Sequence, residues 1–92
     1  MDIFAQLVDK IIKEQEGIIG PVALEQAKKV QGLTVDWQKH EIGLTGNKTT
    51  VVELLVEQYK SLFGQASVEA CKDAVKNLLP TMTAEQIPPL LR

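Results

Sequence analysis

The side chains of this sequence best suited to chemistry are its single histidine, His40, and its single cysteine, Cys71. A cysteine–histidine pair can supply a nucleophile and its base, provided that the thiol is accessible and acidified. Cys71, however, falls in step with Val68 and Val75 at helical spacing, which places it on the inner face of a helix as a small apolar residue. The sequence therefore predicts a buried Cys71, an exposed His40 and no nucleophilic catalysis.

Other kinds of reactive site have equally little support. One histidine and one cysteine in different elements do not make a zinc site, and no calcium-binding loop is present. Glu53 and Glu57 share a helix face but have no buried partner of the kind that acid–base catalysis needs. Residues 43–49 (Gly-Leu-Thr-Gly-Asn-Lys-Thr) look like a phosphate loop only superficially, because the spacing differs from the consensus. We expect no enzymatic activity, no metal and no other cofactor.

The charge pattern argues against a nucleic-acid partner. Ten basic and twelve acidic residues give a formal net charge of −2, and Arg92 is the only arginine. Most lysines lie within a helical turn of an acid, which is typical of a solvated helix surface rather than a phosphate-binding patch. No apolar run approaches the roughly 20 residues that span a bilayer, and the N-terminus does not resemble a secretory signal. We therefore expect no membrane insertion and a cytoplasmic location.

The elements that position these residues are predicted to be helices. Apolar residues recur at helical spacing in four stretches, with Asp2 as the cap of the first and Thr50 with Glu53 as a capping box for the third. Pro80 is predicted to end the fourth helix. The expected fold is one all-α domain, a four-helix bundle-like arrangement with a short C-terminal turn. Its extent is 1–92, and its helices cover about 2–16, 21–31, 50–63 and 66–79.

Two parts of this architecture stand apart from a simple bundle. The third helix is apolar over more than half its circumference, so it is predicted to lie at the centre. Residues 33–48 alternate between apolar and polar types, which favours either a short two-stranded ribbon or one irregular helical turn over 35–41. Trp37 lies in this connection and either anchors it on the helices or faces a partner.

Apolar residues are more numerous than a chain of this size can hide. A domain of this length buries only about 60–65% of the surface that its unfolded chain exposes. The surplus positions are predicted to contact a protein partner or a second copy of the chain. These candidates are Ile18, Ile19, Trp37, Val52, Val56, Tyr59, Leu90 and Leu91. The alternative is a small ligand in a pocket closed by the Trp37 connection.

One segment resembles a known signature. Residues 18–23 (Ile-Ile-Gly-Pro-Val-Ala), followed by Ala27, are similar to a motif of small helical domains in bacterial signalling proteins. Such domains often lie C-terminal to Ser/Thr kinase, cyclase or related regulatory modules. The run 59–64, continuing to Cys71, is similar to cyanobacterial-type members. The resemblance covers roughly a third of the chain and brings no catalytic residue with it. It implies a non-enzymatic interaction module with a regulatory role in bacterial signalling.

Overall fold

The computed structural model describes residues 1–92 and contains four α-helices and a two-stranded antiparallel sheet. Helix accounts for 61% of the chain, so the predicted mainly helical fold with four helices is confirmed, whereas the purely all-α class is wrong. The short C-terminal turn is present as a 3-10 turn. In chain order the elements are α1 (Ile3–Ile19), α2 (Val22–Ala27), β1 (Leu33–Asp36), β2 (Glu41–Leu44), α3 (Lys48–Phe63), α4 (Gln65–Val75) and the 3-10 turns Leu79–Thr81 and Pro89–Leu91.

β1 and β2 form an antiparallel hairpin. Of the two interpretations of residues 33–48, the two-stranded ribbon is therefore confirmed. Leu33 pairs with Leu44, and Val35 pairs with Ile42. Because side chains alternate along a strand, these four residues share one face of the sheet. That face packs against the hydrophobic core, and β2 lies on α1. The alternating pattern is therefore explained by a half-buried sheet of four residues per strand.

α1 runs one turn further than predicted and passes through Gly17 to Ile19. Glycine inside a helix costs only about 1 kcal/mol relative to alanine, and Ile19 packs against the core beyond it. The helix ends instead at Gly20, whose φ of 72° reverses the chain. The Gly20 N–H donates to the carbonyl of Glu16 at 2.9 Å, which satisfies one of the last helix acceptors.

The predicted capping box of α3 is wrong. Asn47 caps the helix, its side-chain oxygen accepting the N–H of Thr50 at 3.0 Å, so the helix begins earlier, at Lys48. The carboxylate of Glu53 accepts the N–H of Leu90 at 3.0 Å instead. This contact ties the C-terminal tail to α3.

α2 and α4 are both shorter than predicted. α2 ends at Ala27 and α4 ends at Val75, and each continues into a turn rather than a further helical turn. The inner face of α2 consists of Ala23 and Ala27, and Val30 in the turn that follows is buried as well. The small alanine side chains let α2 lie close to α1 and α3.

The centre of the molecule is shared by α1 and α3, which corrects the prediction of a central third helix alone. α1 packs against α2, α3, α4 and β2, and its Leu7, Val8, Ile11 and Ile12 have no exposed surface. One hydrophobic cluster joins all four helices, the hairpin and the C-terminal tail. Each helix also carries a polar face, and none combines the length and the apolar character that crossing a membrane would require.

Asp2 caps α1, as the sequence predicts. Its Oδ1 accepts the N–H of Ala5 at 2.8 Å, and its Oδ2 accepts a hydrogen bond from Lys48 Nζ at the start of α3. The Lys48 hydrogen bond and then the Ala5 N–H hold the pKa of Asp2 below its ordinary value.

We expect Asp2→Ala to lower the free energy of unfolding at pH 7 by about 0.5–2 kcal/mol. Because the pKa of Asp2 is lower in the folded state, its contribution is fully present above the ordinary aspartate pKa of about 3.9. The contribution of Asp2 is lost as the pH falls through its lower pKa in the folded state. Urea unfolding at neutral pH and near pH 2 should show the difference between the two proteins shrink in acid. Asp2→Asn keeps a capping oxygen and should lose less than Asp2→Ala; equal losses would contradict the capping role.

Candidate functional site

The candidate site is the end of the bundle where α1 turns into α2 and α3 turns into α4. Gly20 and Gly64 reverse the chain at these turns with φ values of 72° and 81°, and each donates its N–H to the carbonyl four residues earlier. Below the turns, Gln15 of α1 and Ser67 of α4 are joined by hydrogen bonds. The two helix–glycine–helix turns therefore lie side by side.

The segments that form this end carry no charged residue. The first uncharged run, 17–24, lies between Glu16 and Glu25, and the second is 61–68. We call these two runs together the uncharged end. Depletion of charge is typical of the buried centre of protein–protein interfaces.

Large apolar side chains are exposed at the uncharged end. Ile18 is 59% exposed, Leu62 50%, Phe63 39% and Val22 37%. Single exposed apolar residues are ordinary on a protein surface. Two of the four, Ile18 and Phe63, line one groove, and exposed apolar side chains grouped in this way are typical of an interaction site.

A groove of about 150 Å³ opens in the same end. Its lining residues are Gln15, Ile18, Ile19, Phe63, Ala66 and Ser67. The polar atoms in its floor already have partners: Gln15 Oε1 accepts the Ser67 hydroxyl at 3.1 Å, and Gln15 Nε2 donates to the Ser67 carbonyl at 3.1 Å and to Cys71 Sγ at 3.3 Å. The groove therefore offers mainly apolar contacts to whatever enters it.

Cys71 lies beneath this floor and is fully buried, as predicted. Burial raises the pKa of its thiol to about 11, although the hydrogen bond from Gln15 acts in the opposite direction. The thiol is therefore protonated at neutral pH and is a poor nucleophile.

His40 is exposed, as predicted, and it holds the hairpin against α1. It has a left-handed φ of 55°, and its N–H donates to the Trp37 carbonyl at 3.2 Å. Its Nε2 lies 3.1 Å from Asp9 Oδ1, a close contact rather than an aligned hydrogen bond, since that buried oxygen receives no hydrogen bond. Lys13 Nζ lies 3.2 Å from Asp9 Oδ2. No group of three or more His, Cys, Asp or Glu side chains converges as a metal site.

Trp37 anchors the hairpin, the first of the two roles that the sequence leaves open. It is half-buried, packs against the core and lies beside the His40 ring, with 5.5 Å between ring centroids. The groove next to it has a volume of about 430 Å³ and is lined by Leu24, Lys28, Val35, Asp36, Trp37 and Gln38. Half of these residues are exposed. It is a groove at the surface, and the alternative of a small ligand bound beneath the Trp37 connection stays a prediction.

Four of the predicted contact residues are not available to a partner. Val52, Val56 and Tyr59 have no exposed surface, and Leu91 is 2% exposed. The reason is that α1, α2, α4 and the final 3-10 turn all pack on α3, and the turn brings the tail into the core. Leu90 is half-buried in the same contact. The far side of α3 and the tail, both predicted as contact surfaces, therefore belong to one interior.

The structure brings Ile18 and Ile19 to the uncharged end, with Ile18 exposed and Ile19 half-buried. Sequence reasoning missed Phe63, which lines the groove with them, and Val22 and Leu62, which are exposed in the same two segments. The signal was present in the sequence, because 17–24 and 61–68 are two of its three eight-residue runs without charge, the third being 77–84. Only the packing of α1 against α4 shows that the runs lie together.

Comparison with protein-family models, with curated proteins and with solved structures finds no match to this chain. The resemblance of segment 18–23 to the bacterial signalling motif therefore stays a prediction. The functional argument rests on the geometry of the uncharged end.

Proposed function

We propose that the chain is a non-enzymatic protein–protein interaction module that binds its partner through the uncharged end. The observation that carries this proposal is the set of exposed apolar side chains around an apolar groove, in two segments without charge. Burial of such surface contributes roughly 25 cal/mol per Å². Because no charged group has to leave water there, little of this gain is lost to desolvation.

The proposal includes a regulatory role in a bacterial, cytoplasmic signalling pathway. The resemblance of segment 18–23 supports it, because that segment forms part of the uncharged end. The state of the two most reactive side chains also supports a binding role: Cys71 is buried and protonated, and His40 lies against Asp9 and Trp37. Small-ligand binding has less support, since the groove beside Trp37 is open and half of its lining residues are exposed.

Affinity capture from an extract of cells that carry the gene tests this proposal. The immobilised proteins are the wild type, Ile18→Asp and Leu54→Asp. Leu54 is the control, because it is an exposed leucine outside both uncharged runs; the groove that it lines shares only Ser61 with the uncharged end. We expect the wild type and Leu54→Asp to retain the same specific protein. Ile18→Asp should retain about 30-fold less of it, as for an interface hot spot.

Circular dichroism of both variants establishes that they are folded. Retention that is equal on all three proteins, or the absence of any retained protein, would argue against the proposed function.

A further inference from the structure

We infer that the partner of the uncharged end is a second copy of this chain, bound about a two-fold axis. The inference rests on the proposed function and names the partner for that surface. Three properties of the uncharged end carry it: its lack of charge, the presence of both projections and a groove, and its area.

The lack of charge favours a self-contact about a two-fold axis. In such a contact the same patch lies on both sides, so residues near the axis meet their own copies. A charged patch would set like charges opposite each other, which costs several kcal/mol. Residues 17–24 and 61–68 avoid this repulsion, and they offer no countercharge to a partner selected by charge.

The uncharged end also carries both halves of a complementary contact. The projecting side chains are Ile18, which is 59% exposed and forms part of the groove's rim, and Leu62, which is 50% exposed. The recess is the groove lined by Ile18, Ile19, Phe63 and Ala66, whose volume of about 150 Å³ is that of a cavity able to hold a benzene-sized group. One aliphatic side chain is of this size. In a two-fold arrangement every contact occurs twice, with the roles of the two copies exchanged. A side chain of each copy can therefore fill the groove of the other.

The uncharged end is large enough for a standard dimer interface. The two segments contain about one sixth of the residues, and most of these residues are exposed. In proportion to residue number, their share of the accessible surface of 5081 Å² is roughly 850 Å², so an interface of roughly 800 Å² per partner would cover nearly all of it.

Charged residues border the uncharged end. Glu16, Glu25 and Glu69 are acidic, and Lys60 is basic. A polar and charged rim around an apolar centre is the usual anatomy of an interface. Because both signs are present, Lys60 of one copy can face an acid of the other.

Sedimentation velocity of the whole chain, from about 1 μM to about 1 mM, tests the inference. We expect a concentration-dependent dimer for the wild type and for Leu54→Asp. Ile18→Asp should raise the dissociation constant by about 100-fold, because the two-fold axis repeats the substitution in both copies. Leu62→Asp, at the second projecting side chain, should act in the same direction while circular dichroism shows both variants folded.

A wild-type chain that stays monomeric at the highest concentration would overturn the inference, and so would a dimer that Ile18→Asp leaves unchanged. The capture experiment separates this failure from that of the proposed function. A monomer that still retains another protein through Ile18 would remove the second copy as partner and leave the interaction module in place.

Discussion

Replacement of Tyr59 by alanine is expected to lower the free energy of unfolding by about 3–5 kcal/mol. Tyr59 is the largest of the fully buried side chains, and its ring lies in the core that α3 shares with its neighbours. Its hydroxyl donates to the Ala23 carbonyl at 2.6 Å and so joins α3 to α2. A domain of this length has a total stability of about 5–14 kcal/mol, so the variant should be close to unfolding.

Tyr59→Phe separates the ring from the hydroxyl. It keeps the packing but leaves the Ala23 carbonyl without its donor, which should cost about 1–3 kcal/mol. Urea unfolding of the wild type and both variants measures the two effects. A loss of less than 1 kcal/mol for Tyr59→Ala would contradict the burial seen here. The same reasoning excludes Tyr59→Ala as a probe of binding, because any lost interaction would reflect a damaged fold.

A second large loss of stability is expected in alkaline solution. Burial raises the pKa of Cys71 to about 11 from an ordinary value of 9.0. For a group whose pKa is raised on folding, the stabilisation is fully present below the ordinary value and is lost as the pH rises toward the folded one. A pKa difference of about two corresponds to a loss of about 2 kcal/mol at pH 11, which approaches about 3 kcal/mol at higher pH.

Tyr59 should add to this loss at the upper end of the range. Its pKa is also raised, chiefly by burial and further by the negative charge of ionised Cys71 and of Glu16. Its contribution is therefore lost as the pH rises above the ordinary tyrosine value of about 10. The two groups together make alkaline unfolding of this small domain an expected result.

Urea unfolding at several pH values between about 7 and 11 measures this effect, with Cys71→Ser as the matched control. The serine hydroxyl can accept the Gln15 hydrogen bond and does not titrate in this range. We expect the wild type to lose stability from about pH 9 and Cys71→Ser to lose it only as Tyr59 titrates.

In the native protein at neutral pH, the thiol of Cys71 should react with a thiol reagent only on unfolding. Identical pH profiles, or rapid native-state modification, would contradict the structure.

Local patterns predicted much of the fold. The apolar stripe of the first helix, the Asp2 cap and the buried position of Cys71 all agree with the structure. Each depends on residues within a few turns of one another, where helical spacing and capping chemistry act directly. The hairpin remained one of two interpretations, because strands of four residues are too short for their alternation to decide between a strand and a turn.

The candidate site was predictable only in part. Ile18 and Ile19, two of the predicted contact residues, lie at the uncharged end and their role stays a prediction, whereas Val52, Val56 and Tyr59 have no exposed surface. A helix that is apolar nearly all round does not reveal which side is covered. Here neighbours lie on several sides of α3, including a tail that returns to it from the end of the chain.

The sequence by itself determined four helices, an aliphatic core, a cysteine inside it and the absence of charge from 17–24 and 61–68. Spacing and composition are properties of neighbouring residues, so they can be read without coordinates. The tertiary structure alone decided that α1 and α4 meet through Gln15 and Ser67, and that the two uncharged runs therefore form one surface. Contacts between residues more than 50 positions apart arise from the packing of whole elements, which no local pattern encodes.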